Sequence, residues 1–226
     1  MKRSKRYQAA AKLVDPKRAY SIDEAVQIVK SFPSGKLDET VEIAFHLGVD
    51  PKKPDQAVRG TISLPKGIGR SLRVIVFAEG ELAAKAKAAG AQEVGGQELI
   101  DRVAGGWTDF DVAIAAPALM RQVGRLGRVL GPKGLMPSPK SGTVTEDVEG
   151  AVREFRAGKL EYRADAGGNV HVPVGKKSFA PEDLKANIEA FVERIRQAKP
   201  ASAKGRYILG AALSTTMGPG VRLDVS

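Results

Sequence analysis

The sequence predicts an α+β domain assembled from both ends of the chain and interrupted by an inserted α/β block. Two observations carry that reading. Near each end the apolar residues alternate with the period of half-buried strands, whereas between them continuous apolar runs take turns with helical segments, the pattern of a parallel sheet covered on both faces. The charge divides at the same places: residues 1–70 hold 14 Lys/Arg against 8 Asp/Glu, residues 71–158 hold 11 against 11, and residues 159–226 hold 11 against 7. The whole surplus behind the formal charge of +10 therefore sits at the two ends. A chain of 226 residues accommodates two modest domains, each with its own core. The expected divisions are 1–66 and 159–226 for the discontinuous domain and 67–158 for the insert.

A net positive field raises affinity for any polyanion without base-specific contacts, so the first expected partner is a nucleic acid held by the two ends together. The 42% hydrophobic and 27% charged fractions are those of a folded chain, with only the extreme N-terminus reading as a tail. The chain has no cysteine. That excludes a disulfide framework, a thiolate metal site and a cysteine nucleophile, and it fits a reducing cytosol. The basic start of the chain is followed by Gln8 and a short alanine run, which is not a secretory signal, and no apolar run is long enough to span a bilayer. The expected location is the cytoplasm, with no membrane partner.

Taken in order, Ser21-Ile22-Asp23-Glu24 is a capping box opening a helix that carries Ala25, Val26, Ile28 and Val29 and ends near residues 31–35. Val41, Ile43, Phe45 and Leu47 alternate with Thr40, Glu42, Ala44 and His46, a strand with one buried face, and residues 57–64 are its expected partner. Pro65-Lys66-Gly67-Ile68-Gly69 then punctuates the chain. In the middle block, residues 73–78 and 111–116 are buried strands, 81–89 an alanine-rich helix and 97–103 a second helix. Leu160, Tyr162 and Ala164, the turn Asp165-Ala166-Gly167-Gly168-Asn169, and Val170, Val172 and Val174 predict a hairpin in which Pro173 favours an edge strand. Pro181 opens a helix whose Leu184, Ile188, Phe191, Val192 and Ile195 recur at helical spacing. Strands over 207–214 and 221–225 flank Thr215-Thr216-Met217-Gly218-Pro219-Gly220. Insertions are tolerated where entry and exit lie close together on a surface, and the crossings near Gly67 and Gly158 form an expected hinge.

Catalytic motifs fail on inspection. Residues 134–141 have the length of a phosphate loop ending in Lys140-Ser141, but Pro139 stands where the second glycine belongs and has no amide hydrogen to offer a phosphate. Gly67-Ile68-Gly69 begins a dinucleotide fingerprint, yet Leu72 replaces the third glycine and the motif precedes its strand, so it reads as a linker. His46 and His171, the two histidines, support neither a metal cluster nor a histidine base and read as solvent-facing strand residues. For His171, sharing a face with Glu161 and Arg163, a nucleic-acid contact is the second reading. Trp107 reads as packing at a helix-to-strand turn, and aromatics at 5% argue against a surface built on base stacking.

Two segments are not explained by packing alone. Residues 126–137 are too broken by glycine and proline for a regular helix and too apolar for a floppy loop; Arg121, Arg125 and Arg128 form a basic stripe on any helix there, either a solvated face or a phosphate contact. In Ser214-Thr215-Thr216-Met217-Gly218-Pro219 the hydroxyls suit sugar and phosphate oxygens and the glycine lets a nucleotide approach. Composition alone favours an ordinary hairpin there, with Met217 tucked into the core.

At these segments the chain resembles the bacterial L-one family of ribosomal proteins, the protein of the mobile stalk on the large ribosomal subunit. The matching pieces are residues 126–137 with Gly142-Thr143-Val144, Lys36-Leu37-Asp38-Glu39-Thr40-Val41-Glu42, His171 with Val174-Gly175-Lys176, and residues 215–219. The resemblance implies a discontinuous α+β domain that holds ribosomal RNA and an inserted Rossmann-like α/β domain. The implied RNA surface is Lys36, Leu37 and Thr40, then Gly167, Gly168, His171 and Lys176, then Ser214, Thr215, Thr216, Met217 and Gly218. Leu37 stands where the family often has phenylalanine. Phosphate contacts are expected from Lys2, Arg3, Lys5, Arg6 and Lys36, and a tRNA or rRNA contact on the insert from Arg121, Arg125, Arg128, Lys133 and Lys140. The resemblance further implies binding to 23S rRNA of the stalk, help in releasing deacylated tRNA from the exit site, repression of its own operon mRNA, a monomer when free, no cofactor and no catalysis. A nucleotide-dependent enzyme using the insert and a general basic nucleic-acid chaperone are the competing readings.

Overall fold

The computed structural model describes residues 3–33 and 35–225, the side chains of Pro54 and Lys140 excepted. It divides into two compact units, one taking the chain through Gly69 and again from Leu160, the other running Arg70–Lys159. The divisions thus fall at Gly69 rather than residue 66 and at Lys159 rather than 158.

The first unit opens with helix α1 (Lys5–Ala11), where the Ser4 hydroxyl accepts the Tyr7 N–H at 3.2 Å and Ala10 is buried. The expected tail is therefore helical from Lys5, because a serine cap precedes a run of alanines with high helix propensity. Helix α2 (Ile22–Ser31) carries the complete capping box of Ser21 and Glu24 and buries Ala25, Val26 and Val29. Strand β1 (Thr40–Leu47) buries Val41, Ile43, Phe45 and Leu47, and β2 (Arg59–Ser63) follows.

The second unit runs through β3 (Val74–Phe77), α3 (Gly80–Ala88), β4 (Glu93–Gly95), α4 (Gln97–Ala104), β5 (Val112–Ala115), α5 (Met120–Val123), α6 (Gly127–Leu130) and α7 (Val148–Ala157). Its three strands are parallel in the order β4-β3-β5. Side chains of β3 alternate between two clusters: Ile75 and Phe77 pack with Leu99, Ile100, Val123, Leu126 and Leu130, whereas Val74 and Val76 pack with Ala86, Val148, Val152 and Phe155. The sheet is covered on both faces, as the apolar runs predict.

The chain then returns to the first unit with β6 (Lys159–Arg163), β7 (Asn169–Lys176), α8 (Pro181–Gln197), β8 (Ile208–Thr215) and β9 (Val221–Leu223). An antiparallel sheet in the order β7-β1-β8-β9 buries one face under α2 and α8. Two expected pairings are corrected. Strand β2 pairs with β6 in a separate two-stranded sheet, not with β1, and β6 and β7 do not form a hairpin, because β7 pairs with β1 instead. The turn at 165–169 reverses the chain, but alternation alone does not select a distant partner; the Tyr162 ring goes to the main core, edge-on to Phe191 at 5.6 Å. Pro173 does lie on an edge strand, opposite Glu42 beyond a bulge, where its missing N–H costs no ladder bond.

The segment read as a linker is fastened to the first unit. Asn187, fully buried on α8, accepts the Lys66 N–H through Oδ1 at 3.0 Å and donates through Nδ2 to the carbonyls of Gly67 at 2.9 Å and Val174 at 2.7 Å.

Candidate nucleic-acid interface

Strand register decides what meets what. Thr40, at the start of β1, lies opposite Lys176, at the end of β7, and Val41 lies opposite Thr215, at the end of β8. Lys36, Leu37, Thr40, Lys176 and the turn at 214–218 therefore gather at one end of the sheet, although they are far apart in sequence.

The cluster is tied by short polar contacts. Lys176 Nζ donates to Thr40 Oγ1 at 2.8 Å. The Thr216 N–H donates to the Thr40 carbonyl at 3.1 Å, and the Thr40 N–H donates back to Thr216 Oγ1 at 3.1 Å. Leu37 is 79% and Met217 56% exposed, so the tucked methionine favoured by composition is not observed. The inward place is taken by Thr215 and Phe32: a Cβ on Gly218 would overlap Thr215 Oγ1 and the Phe32 ring. Thr215 is turned into the core, its hydroxyl without a hydrogen-bond partner, so it supports the turn rather than presenting a hydroxyl. Ser214 is half-buried opposite Glu42.

Gly167 and Gly168 lie elsewhere. They precede Asn169, whose partner is His46 near the far end of β1, about 20 Å away at roughly 3.3 Å per residue. Gly168, at φ 77°, is buried and gives its carbonyl to the Leu47 N–H at 2.9 Å; a Cβ there would sit 2.9 Å from the Leu47 oxygen. Gly167 is exposed. The turn is organised by Asp165, which the sequence reading used only as a turn residue: its Oδ1 accepts the N–H groups of Asn169 and Gly167, each at 2.8 Å. Bonds from the Asn169 backbone and side chain, then from Gly167, hold the Asp165 carboxyl below the usual carboxylate range. His171 is exposed midway, opposite Ala44. It does not share a face with Glu161 and Arg163, because those belong to β6 in the other sheet. His46 is also exposed, its Nδ1 2.9 Å from Asn169 Oδ1.

The terminal cations are arranged unevenly. Arg3 stacks over the Tyr7 ring at 4.6 Å, Lys5 and Lys36 are exposed, and Arg6 turns toward Glu39. Lys2 lies outside the described residues, as does the Lys140 side chain. In the second unit Arg121, Arg125 and Arg128 are exposed while Val123, Leu126 and Leu130 are buried, so the basic stripe exists along a helix broken between α5 and α6. Lys133 donates to Thr108 Oγ1 at 2.5 Å. Trp107 packs against Phe110 with Arg102 over its ring, consistent with the packing reading.

Two places where a nucleotide phosphate could sit are taken up by the protein's own groups. Ser141 is buried, and its hydroxyl is used within the turn, on the Ser138 carbonyl at 3.1 Å and Thr143 at 3.0 Å. Beyond the carboxyl ends of β3 and β4, where such sheets take cofactors, the Glu79 carboxylate fills the space over Gly96. Among the described residues no group of three or more His, Cys, Asp or Glu could hold a metal ion, and no helix is long and apolar enough to cross a membrane.

The open sheet face thus ends in exposed hydroxyl, apolar and cationic groups. The model of the Ribosomal protein L1p/L10e family matches residues 29–219, and the chain belongs to that family. It is 56% identical over 223 residues to the large ribosomal subunit protein uL1 of Kosmotoga olearia, covering 99% of this chain and 96% of that one. It is equally 56% identical over 226 residues to uL1 of Clavibacter michiganensis, covering 100% and 99%. The resemblance read from the motifs is borne out, and a member of this structural family is not an enzyme.

Proposed function

We propose that the chain is a constituent of the large ribosomal subunit whose discontinuous unit binds 23S rRNA at the mobile stalk. The observation that carries this reading is the convergence of Lys36, Leu37, Thr40, Lys176, Thr216 and Met217 at one end of an exposed sheet face. Donors, an acceptor and two bare apolar side chains there suit ribose, phosphate and an unstacked base, and Arg3, Lys5 and Lys36 add the polyanion attraction. The relatives named as large-subunit proteins support the same assignment. In the second unit the exposed Arg121, Arg125 and Arg128 support a contact with exit-site tRNA during its release. Repression of its own operon mRNA rests on the family resemblance, as do a monomeric free state and a cytoplasmic location.

The test is a footprint of the purified protein on large-subunit rRNA. The expected result is protection of one continuous stalk region. Protection spread evenly over the RNA, with equal affinity for DNA, would replace this reading with a general chaperone.

A further inference from the structure

Among the described residues Glu39 is the one charged side chain that is buried, at 6% exposure. Three segments converge on it. Its Oε1 lies 3.8 Å from Arg6 Nη1 of helix α1, its Oε2 accepts the Met217 N–H at 3.4 Å, and its carbonyl accepts the Lys177 N–H at 2.8 Å. A buried carboxylate without a counterion is costly, and Arg6 supplies one. The Arg6 guanidinium is itself 34% exposed and covers Gly35, where a Cβ would overlap it. A guanidinium paired in this way shares its charge with the carboxylate and offers less of it to a phosphate than an unpaired arginine does.

We propose that Glu39 is a positioning residue: with Arg6 as its counterion it holds the Met217 backbone in place, so Arg6 serves discrimination through Glu39 rather than as one more phosphate contact. This rests on the RNA-binding reading above. The expectation that Arg6 acts alongside Arg3 and Lys5 is replaced by a division of labour at the start of the chain, between Arg3 and Lys5 on one side and Arg6 on the other.

The chemistry gives a rescue test. Removing one member of a buried pair leaves the other uncompensated, whereas glutamine at position 39 needs no counterion and still accepts the Met217 N–H through its amide oxygen. The full-length protein, Arg6→Met, Glu39→Gln and the double variant are titrated by fluorescence anisotropy with a 23S stalk fragment and with random RNA of equal length. Arg6→Met is expected to lower the ratio of specific to random affinity about tenfold or more, and the double variant to recover most of it. Arg6→Lys, which keeps the charge, is expected to retain the ratio. Should Arg6→Met fail to fold, a folded and discriminating double variant supports the proposal and a non-discriminating one overturns it. Equal loss on both RNAs with the ratio intact, or a lost ratio that Glu39→Gln does not restore, also overturns it. If the unaltered protein shows no preference, the RNA-binding reading falls with it; if it discriminates and rescue fails, only this inference falls.

Discussion

An ammonium can only donate, so the 2.8 Å bond from Lys176 to Thr40 Oγ1 uses a lone pair of that hydroxyl and leaves its proton to point at an acceptor on the partner. Thr40→Val removes the donor, and affinity for the stalk fragment is expected to fall about tenfold, with Thr40→Ser retaining it, measured by anisotropy. Tyr207 poses the opposite case: its hydroxyl is buried without a partner, and burial, with a smaller contribution from Tyr162, pushes it up to about 12. The folded protein therefore keeps a proton that the unfolded chain releases from about pH 10, so stability is lost as pH rises from there toward 12. Tyr207→Phe is expected to raise stability by about 1 kcal/mol at neutral pH and to flatten that alkaline loss, both read from urea denaturation. Neither property is legible in the sequence, because which hydroxyl finds a partner depends on what the fold brings beside it.

At the scale of elements, local rules worked where the chain talks to itself. The capping box of α2, the proline that opens α8 and the alternation of β1 each depend on residues a few positions apart, and each is present. Strand pairing failed the same test: β2 and β6 are separated by the whole insert yet pair with one another. Helix α7 carries the same kind of local signal: Asp147 caps it, its carboxylate accepting the Gly150 N–H at 2.9 Å, and Gly158 ends it in a left-handed conformation. Asn187 is likewise a polar residue in an apolar helical pattern whose three bonds join α8, β7 and the strand-to-insert crossing. Asn187→Leu leaves the Lys66 N–H and two carbonyls unpaired, and is expected to lower stability by about 1–3 kcal/mol with an unchanged urea m-value.

Across the whole molecule, each unit owns its core: one cluster spans the residues of the terminal halves, and two clusters flank the central sheet of the insert. Residues 70–159 are therefore expected to unfold cooperatively as an isolated fragment, while a chain joining Gly69 to Leu160 through a short linker retains discrimination for the stalk RNA. Non-cooperative melting of the fragment, or loss of discrimination in a well-folded remainder, would remove the basis for this division. The sequence by itself determined the neutral middle and basic ends, the switch from alternating to continuous apolar patterns and the family motifs, because each is written in nearest neighbours or in composition. Only the tertiary structure decided that β1, β7 and β8 bring Thr40, Lys176 and Thr216 to one end while Gly167 and Gly168 sit at the other, that Met217 faces solvent, and that Glu39 is buried beside Arg6. Those outcomes follow from register between strands more than a hundred residues apart, and register is set by how whole faces pack, which no short stretch of chain encodes.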